Sequence, residues 1–280
     1  MPNTRSRSDR CPGVLRPWPA PDGGLVRVRL AGGRVTPEAL LALSEVAVEH
    51  GDGHIHLTGR ANLQLRALPM VDGEVTTEVV SAIEATGLLP SRSHDLVRNL
   101  MASPQTGLAG GRANLRPVVA ELDRLLCADP RAAGLGGRFL FVLDDGRGDL
   151  ADRPADLGLV ALDAQTAQLR VGDGWGAVVP LGDAPPAMLA LVHRFLDRRG
   201  DGPTAPWHVT ELDASLAEPA SPDPLTEVVA PPLAYGDVPG GVHVPAPVGV
   251  VGSDLAAELA APGRGLVVTP WRGILQEAAR

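Results

Sequence analysis

Apolar and polar residues alternate along Leu25-Val26-Arg27-Val28-Arg29-Leu30, which predicts a strand between Gly24 and Leu30. Thr36-Pro37-Glu38 then opens an apolar-periodic stretch running to His50, the pattern of an N-cap, a proline in the first turn and a helix. Gly51-Asp52-Gly53 ends it. His54 to Thr58 and Asn62 to Arg66 read as two extended segments around Gly59-Arg60, completing a β-α-β-β unit. Helical periodicity returns from Glu74 to Thr86, from Arg116 to Cys127 and from Pro186 to Arg199. Between the last two, Arg138 to Leu143, Leu157 to Leu162 and Ala167 to Val171 read as short strands of a small sheet. Residues 201–238 are dense in Pro, Asp and Ala without periodicity, and predict a linker.

The segment after the linker repeats the beginning. Gly240-Gly241-Val242-His243-Val244 matches the entry Gly23-Gly24-Leu25-Val26-Arg27, Ser253 to Ala260 supplies a helix, and Gly265 to Arg272 mirrors Gly53 to Arg60. A repeated half-domain predicts a pseudo-twofold pair with joined sheets and a cleft between the halves. The expected organisation is a disordered lead-in over 1–20, a first half-domain over 21–88, a central α/β domain over 89–200, the linker 201–238 and a second, shorter half-domain over 239–280.

The chain has 280 residues, 44% of them hydrophobic, enough for about two domains each with a core. Its longest apolar runs are broken by prolines, so no membrane span is expected, and the arginine-rich start lacks the apolar stretch of a secretory signal. A cytoplasmic location is expected. The net charge of −8 disfavours nucleic acid as a partner. All 25 basic residues are Arg, a bias that reflects genomic base composition. Cys11 and Cys127 give neither a disulfide framework nor a CxxC metal pair.

Candidate chemistry lies in three places. Thr58, Arg60, Asn62, Gln64 and Arg66 are all even-numbered, so a period-two strand would show them on one face. The alternative is the solvated outside of a sheet, but a face with two arginines and no carboxylate suits anions. Arg98-Asn99, followed by Ser103-Pro104, brings a cation and an amide to a small-residue turn; Arg138 stands at the start of Arg138-Phe139-Leu140. His54 and His56 alternate on one strand and could ligate a metal, with His56 otherwise facing a ligand. Arg147-Gly148-Asp149 is read as a chance tripeptide, and Asp144, Asp145, Asp149 and Asp152 as a solvated hairpin turn, since they lack the spacing of a calcium loop.

Taken in order, the β-α-β-β unit ending in His56-x-Thr58-x-Arg60-x3-Gln64, then Arg98-Asn99, then Arg138-Phe139, and the recurrence after Pro239, resemble the nitrite/sulfite reductase family. Cys11-Pro12-Gly13, Leu89-Pro90 and Thr269-Pro270-Trp271-Arg272 are most similar to its precorrin-3B synthase branch, in cobalamin biosynthesis. The resemblance implies an α+β fold with two ferredoxin-like half-domains and a central α/β module. It also implies an oxidoreductase ancestry and a tetrapyrrole with up to eight carboxylates as ligand. By position, Arg60, Arg98 and Arg138 correspond to the family's anion-binding arginines and basic strand start; Gln64, Arg66 and Asn99 complete the expected substrate-binding set, with no catalytic residue assigned. Leu140 stands where the reductases carry a second lysine, which favours a synthase.

Full-length relatives hold a [4Fe–4S] cluster on four cysteines and use iron. This sequence holds two cysteines, and Cys127, at the end of an apolar helix, is expected to be buried and inert. Three outcomes stay open: a truncated synthase, a site completed by a cysteine-bearing partner chain, or a non-catalytic tetrapyrrole-binding module.

Overall fold

The computed structural model describes residues 9–202, 204–260 and 263–279. Two compact units emerge: residues 12–98 with 232–279, which carry both half-domains, and residues 99–231 with 9–11.

In the first half-domain, β1 (Trp18–Ala20) and β2 (Gly23–Val28) form a hairpin, and a short β3 (Arg34–Val35) leads into α1 (Pro37–His50). Thr36 caps α1 as the sequence predicts, its hydroxyl accepting from the Ala39 amide at 3.1 Å. The strands β4 (Ile55–Leu57) and β5 (Leu63–Leu68) follow, then a small β6 (Met70–Val71) and β7 (Glu74–Val75) hairpin, and α2 (Thr77–Ala85). The helical expectation from Glu74 is thus shortened, because Glu74 and Val75 pair with Val71 and Met70.

The central unit starts with β8 (Leu100–Ala102), α3 (Arg116–Ala128), β9 (Phe141–Asp144), β10 (Leu157–Ala161), β11 (Thr166–Val171), β12 (Gly174–Pro180) and α4 (Ala184–Arg199). Its sheet order is β12-β11-β10-β9-β8, parallel among the last three and antiparallel elsewhere. Phe139, Phe141 and Phe195 pack ring to ring in its core, with centroids 5.2 and 4.9 Å apart. Residues 201–231 do not behave as a linker. The amide of Ala220 bonds the Trp175 carbonyl, Gln168 accepts from the Asp223 amide, and Arg112 reaches the Leu225 carbonyl at 2.9 Å, so a strand backbone, a strand side chain and a loop arginine fasten the aperiodic stretch to the central unit.

The second half-domain comprises β13 (Gly236–Val238), β14 (Gly241–Pro245), β15 (Val250–Val251), α5 (Ser253–Leu259), β16 (Leu266–Val268) and β17 (Gly273–Glu277). The two halves exchange strands. β15 of the second half pairs antiparallel with β4 of the first, and β3 of the first pairs with β16 of the second, giving the sheets β1-β2-β5-β4-β15 and β13-β14-β17-β16-β3. This reciprocity is what a pseudo-twofold requires. Val26, Val28, Leu63, Leu65, Ile55 and Val251 put one face of the first sheet against Leu40, Leu43 and Val79 of the helices, all fully buried. Of the expected lead-in, residues 1–8 lie outside the described residues; Val14 is fully buried in this same core, and Trp18 to Ala20 are strand.

Candidate functional site: the sheet face and turns of the paired half-domains

With one face of the first sheet committed to the core, the pleat sends alternate residues the other way. Gln64 of β5 lies directly between Arg27 of β2 and His56 of β4, all three half-buried. Side chains paired across strands stand about 5 Å apart at their Cβ atoms, within reach of a common ligand. Arg27 shares its side of β2 with Leu25, as the alternation from Leu25 to Leu30 requires, but nothing in its own segment marks it as a site residue. His56 also bonds Asp52, its Nε2 lying 2.8 Å from the carboxylate, and His54 Nδ1 lies 2.7 Å from the Asp52 carbonyl. No group of three or more potential metal-ligating side chains occurs among the described residues.

The expected even-numbered face holds only in part. Residues 58–62 form a turn, not a strand: the Thr58 amide bonds the Asn62 carbonyl at 3.0 Å, the Ala61 amide bonds the Thr58 carbonyl at 3.1 Å, and Ala61 is left-handed with φ 55°. The Thr58 hydroxyl also accepts from the Asn62 amide. Period two therefore stops at Leu57 and resumes at Leu63. Arg60 sits half-buried at the turn's apex, while Asn62 points inward, buried, its side-chain Oδ1 accepting from the Leu30 amide at 2.9 Å. Arg66 is on the outer face but ion-paired with Asp22 at 3.1 Å.

Arg98 is buried, its guanidinium donating to the Arg29 carbonyl at 3.4 Å. Arg29 in turn bonds the carbonyls of Asp95 and Pro12, and burial pushes the Asp95 carboxyl above its ordinary range despite the neighbouring guanidinium. Local sequence gave no sign of this knot, since its partners are 66 and 17 positions apart. Asn99 and Arg138 belong to the central unit. The Asn99 amide donates to the carbonyls of Gly137 and Phe139, at 2.8 and 3.2 Å, and fixes the approach to β9. Arg138 precedes β9 rather than opening it; it is exposed, 3.5 Å from Asp9, and its guanidinium lies 5.0 Å over the Trp207 ring.

The aspartates expected in a solvated turn are, apart from Asp152, buried. Asp144 accepts the amides of Gly146, Gly148 and Leu150; Arg147 forks onto Asp145; and Asp149 accepts from the Ser103 hydroxyl at 2.7 Å. Burial pushes the Asp149 carboxyl up to about 7. This network and Arg147 of the discounted tripeptide hold the end of β9. Cys127 is half-buried rather than buried. The two cysteines supply at most half of the thiolates that a four-cysteine cluster needs, so these residues do not fit that group on their own.

Pairwise strand exchange and a polar outer face over a helix-covered sheet define a protein of the nitrite/sulfite reductase fold. Residues 19–79 match the nitrite/sulfite reductase ferredoxin-like half-domain. The chain is 30% identical over 161 residues to a precorrin-3B synthase of Sinorhizobium sp., an alignment covering 56% of this chain and 33% of that protein. The solved structure of the Mycobacterium tuberculosis NirA protein superposes with a TM-score of 0.69 over 96% of this chain and 59% of that one, at 19% identity. The chain thus spans about a third of the curated relative that it matches and less than two thirds of the solved one. No helix among the described residues is long and apolar enough to cross a membrane.

Proposed function

We propose that this chain binds a polycarboxylate tetrapyrrole of the precorrin type on the paired half-domains, as part of a precorrin-3B synthase-like oxidoreductase of cobalamin biosynthesis. The observation that carries the reading is the row Arg27, Gln64 and His56 on a sheet face free of the core, with half-buried Arg60 at the apex of the turn that joins β4 to β5. Guanidinium groups and an amide in fixed register suit the carboxylate rim of such a macrocycle. The synthase-type relative supports the ligand class. Arg60 is the direct anion grip in this reading; Gln64 orients a carboxylate. Arg66, ion-paired with Asp22, would exchange that carboxylate for one of the ligand's, and Arg98 supports the fold by holding the Arg29 carbonyl. Asn99 and Arg138 belong to the central unit and are left out of this sheet-face site.

A second reading, binding without turnover, is favoured by the cysteine content, because no redox centre of the four-thiolate kind can be assembled from these residues alone. The cluster, iron and a cysteine-bearing partner chain all stay within the proposal, as does a cytoplasmic setting.

The test is titration with an octacarboxylate porphyrin, followed by its absorbance. Wild-type chain should bind, and Arg60→Ala should weaken binding about tenfold or more, the worth of one charged hydrogen bond. Adding Arg98→Ala should deepen the loss. Unchanged affinity in Arg60→Ala would remove Arg60 from the site; absence of binding by the wild type would overturn the reading itself. Anaerobically purified protein carrying iron and sulfide would favour the enzyme over the bare binding module.

A further inference from the structure

The internal repeat places two closely similar turns side by side, and their apices carry different chemistry. In the second half, the Thr269 amide bonds the Gly273 carbonyl at 2.9 Å, the Arg272 amide bonds the Thr269 carbonyl at 3.2 Å, and Arg272 is left-handed with φ 62°. This reproduces Thr58, Asn62 and the left-handed Ala61. The left-handed residue fixes the alignment: Arg272 corresponds to Ala61, so the counterpart of Arg60 is Trp271, one position away from the match that the sequence alone suggests.

The turns are neighbours. A Cβ built on Gly33 would stand 3.4 Å from the Ala61 Cβ and 2.3 Å from the Val268 carbonyl oxygen, which puts those two atoms less than 6 Å apart. Trp271 is held in place without being buried. Its carbonyl accepts from the Tyr235 hydroxyl at 2.6 Å, its ring meets the His243 ring edge-on at 6.4 Å, and Tyr235 packs on the same imidazole at 4.5 Å. Aromatic residues make up only 3% of the chain, and three of them, Phe139, Phe141 and Phe195, are spent in the central core. A half-exposed indole braced at a turn apex next to a cationic one is therefore a specific feature of the pair.

We propose that Trp271 contacts the apolar face of the ligand whose carboxylate Arg60 holds, so that the first half-domain reads the charged rim and the second reads the ring. The inference rests on the tetrapyrrole reading above. A flat macrocycle with acidic substituents offers two surfaces, and guanidinium groups satisfy only its rim. An indole takes the face by offset or edge-on stacking, which removes apolar area from water and is insensitive to salt. The Arg60 contact is coulombic and weakens as salt rises.

Porphyrin titrations of Trp271→Phe, Trp271→Leu and Arg60→Ala at low and high salt test this in the full chain. Trp271→Phe should stay near wild type and Trp271→Leu should lose about fivefold at both salts, the size of an aromatic stacking contact. The loss in Arg60→Ala should shrink at high salt. Leucine and phenylalanine both keep apolar bulk at the apex, and unfolding profiles matching wild type establish that each variant folds. Equal affinity of the Leu and Phe variants, with Arg60→Ala still weakened, would overturn the role of Trp271 and leave the binding reading standing. A wild-type chain that binds no porphyrin would overturn both.

Discussion

The Thr58–Asn62 turn and the Thr269–Gly273 turn have the same backbone and are secured differently. In the first, Asn62 closes the structure by accepting from the Leu30 amide across to the segment before β3. In the second, Gly273 stands at the equivalent place and lacks a side chain; the Arg272 carbonyl accepts from the Ala246 amide, and buried His243 reaches the Thr269 hydroxyl at 3.0 Å. A Cβ on Gly273 would strike His243 Nε2 at 2.4 Å, so the imidazole occupies the room that a side chain would need. The backbone of such a turn is specified by a threonine and one left-handed residue. The apex is left free to carry whichever chemistry the ligand asks for, Arg60 on one side and Trp271 on the other.

The sharpest test of this likeness uses the glycines beside the two turns. Gly33 and Gly249 both adopt positive φ, 73° and 77°, at matching points before β3 and β15. A methyl group on Gly33 would lie 2.3 Å from the Val268 carbonyl oxygen, which cannot move without breaking β16 from its neighbours; on Gly249 it would lie 3.0 Å from Arg272 Cδ, part of a flexible side chain. Gly33→Ala should therefore cost about 3 kcal/mol or more, combining a backbone clash with the left-handed penalty, and Gly249→Ala about 1–2 kcal/mol from that penalty alone. Urea unfolding of the two variants measures both. Equal losses would mean that the exchanged strands are not anchored as the structure has them.

Acid should separate the turns next. Burial lowers the His243 pKa below its ordinary 6.5, even though the carbonyls of Leu233 and Ala234 beside Nδ1 oppose the shift. Those carbonyls call for a proton on Nδ1, so neutral His243 accepts from the Thr269 hydroxyl through Nε2. The unfolded chain takes up a proton at this histidine before the folded one does; stability contributed here is complete above pH 6.5 and falls as pH drops below it. The first turn is built around Asn62, which does not titrate. Hydrogen exchange, corrected for its intrinsic pH dependence, should show the Arg272 and Gly273 amides losing protection between about pH 7 and 5 while those of Ala61 and Asn62 keep theirs. A His243→Gln chain should lose the difference. Parallel behaviour of the two turns in the wild type would remove His243 as its source.

Much of this is legible in the sequence, and the exceptions share a cause. The helix Pro37–His50 with its Thr36 cap, the β-α-β-β order and the repeat after Pro239 all follow from periodicity and punctuation, which act over a few residues. Thr58, Arg60 and Asn62 fall on a common face only if alternation is extended through Gly59-Arg60, where the chain turns. Asn99, Arg98 and the aspartates around Arg147 show only their sequence neighbours to such a reading. Their roles are set by partners tens of residues away: Gly137 for Asn99, Arg29 for Arg98 and Ser103 for Asp149. The stretch 201–231 lacks periodicity because its backbone bonds to side chains and single strand edges, and a regular ladder is what periodicity detects. Arg27 is the instructive omission, a residue whose alternation is plain in the sequence and whose significance appears only once Gln64 and His56 come into register beside it.

The smallest expected effect concerns the loop before β15. Val248 has φ 48° and ψ 19°, close to the 62° and 23° of Gly32 at the matching point of the first half, and it is 91% exposed. A β-branched residue in left-handed backbone carries about 1–2 kcal/mol of steric strain, and with its side chain almost wholly in water little packing offsets it. Glycine relieves that strain and gives back part of the gain through the greater freedom of the unfolded chain, about 0.5–1 kcal/mol. Val248→Gly should thus stabilise the chain slightly, by up to about 1 kcal/mol in urea unfolding. Gly32→Val, placing the same side chain where the first half is buried, should destabilise it by more than that. Destabilisation by Val248→Gly would show that the valine side chain is held by something beyond this loop, and the two halves would then differ in their contacts as well as in their apices.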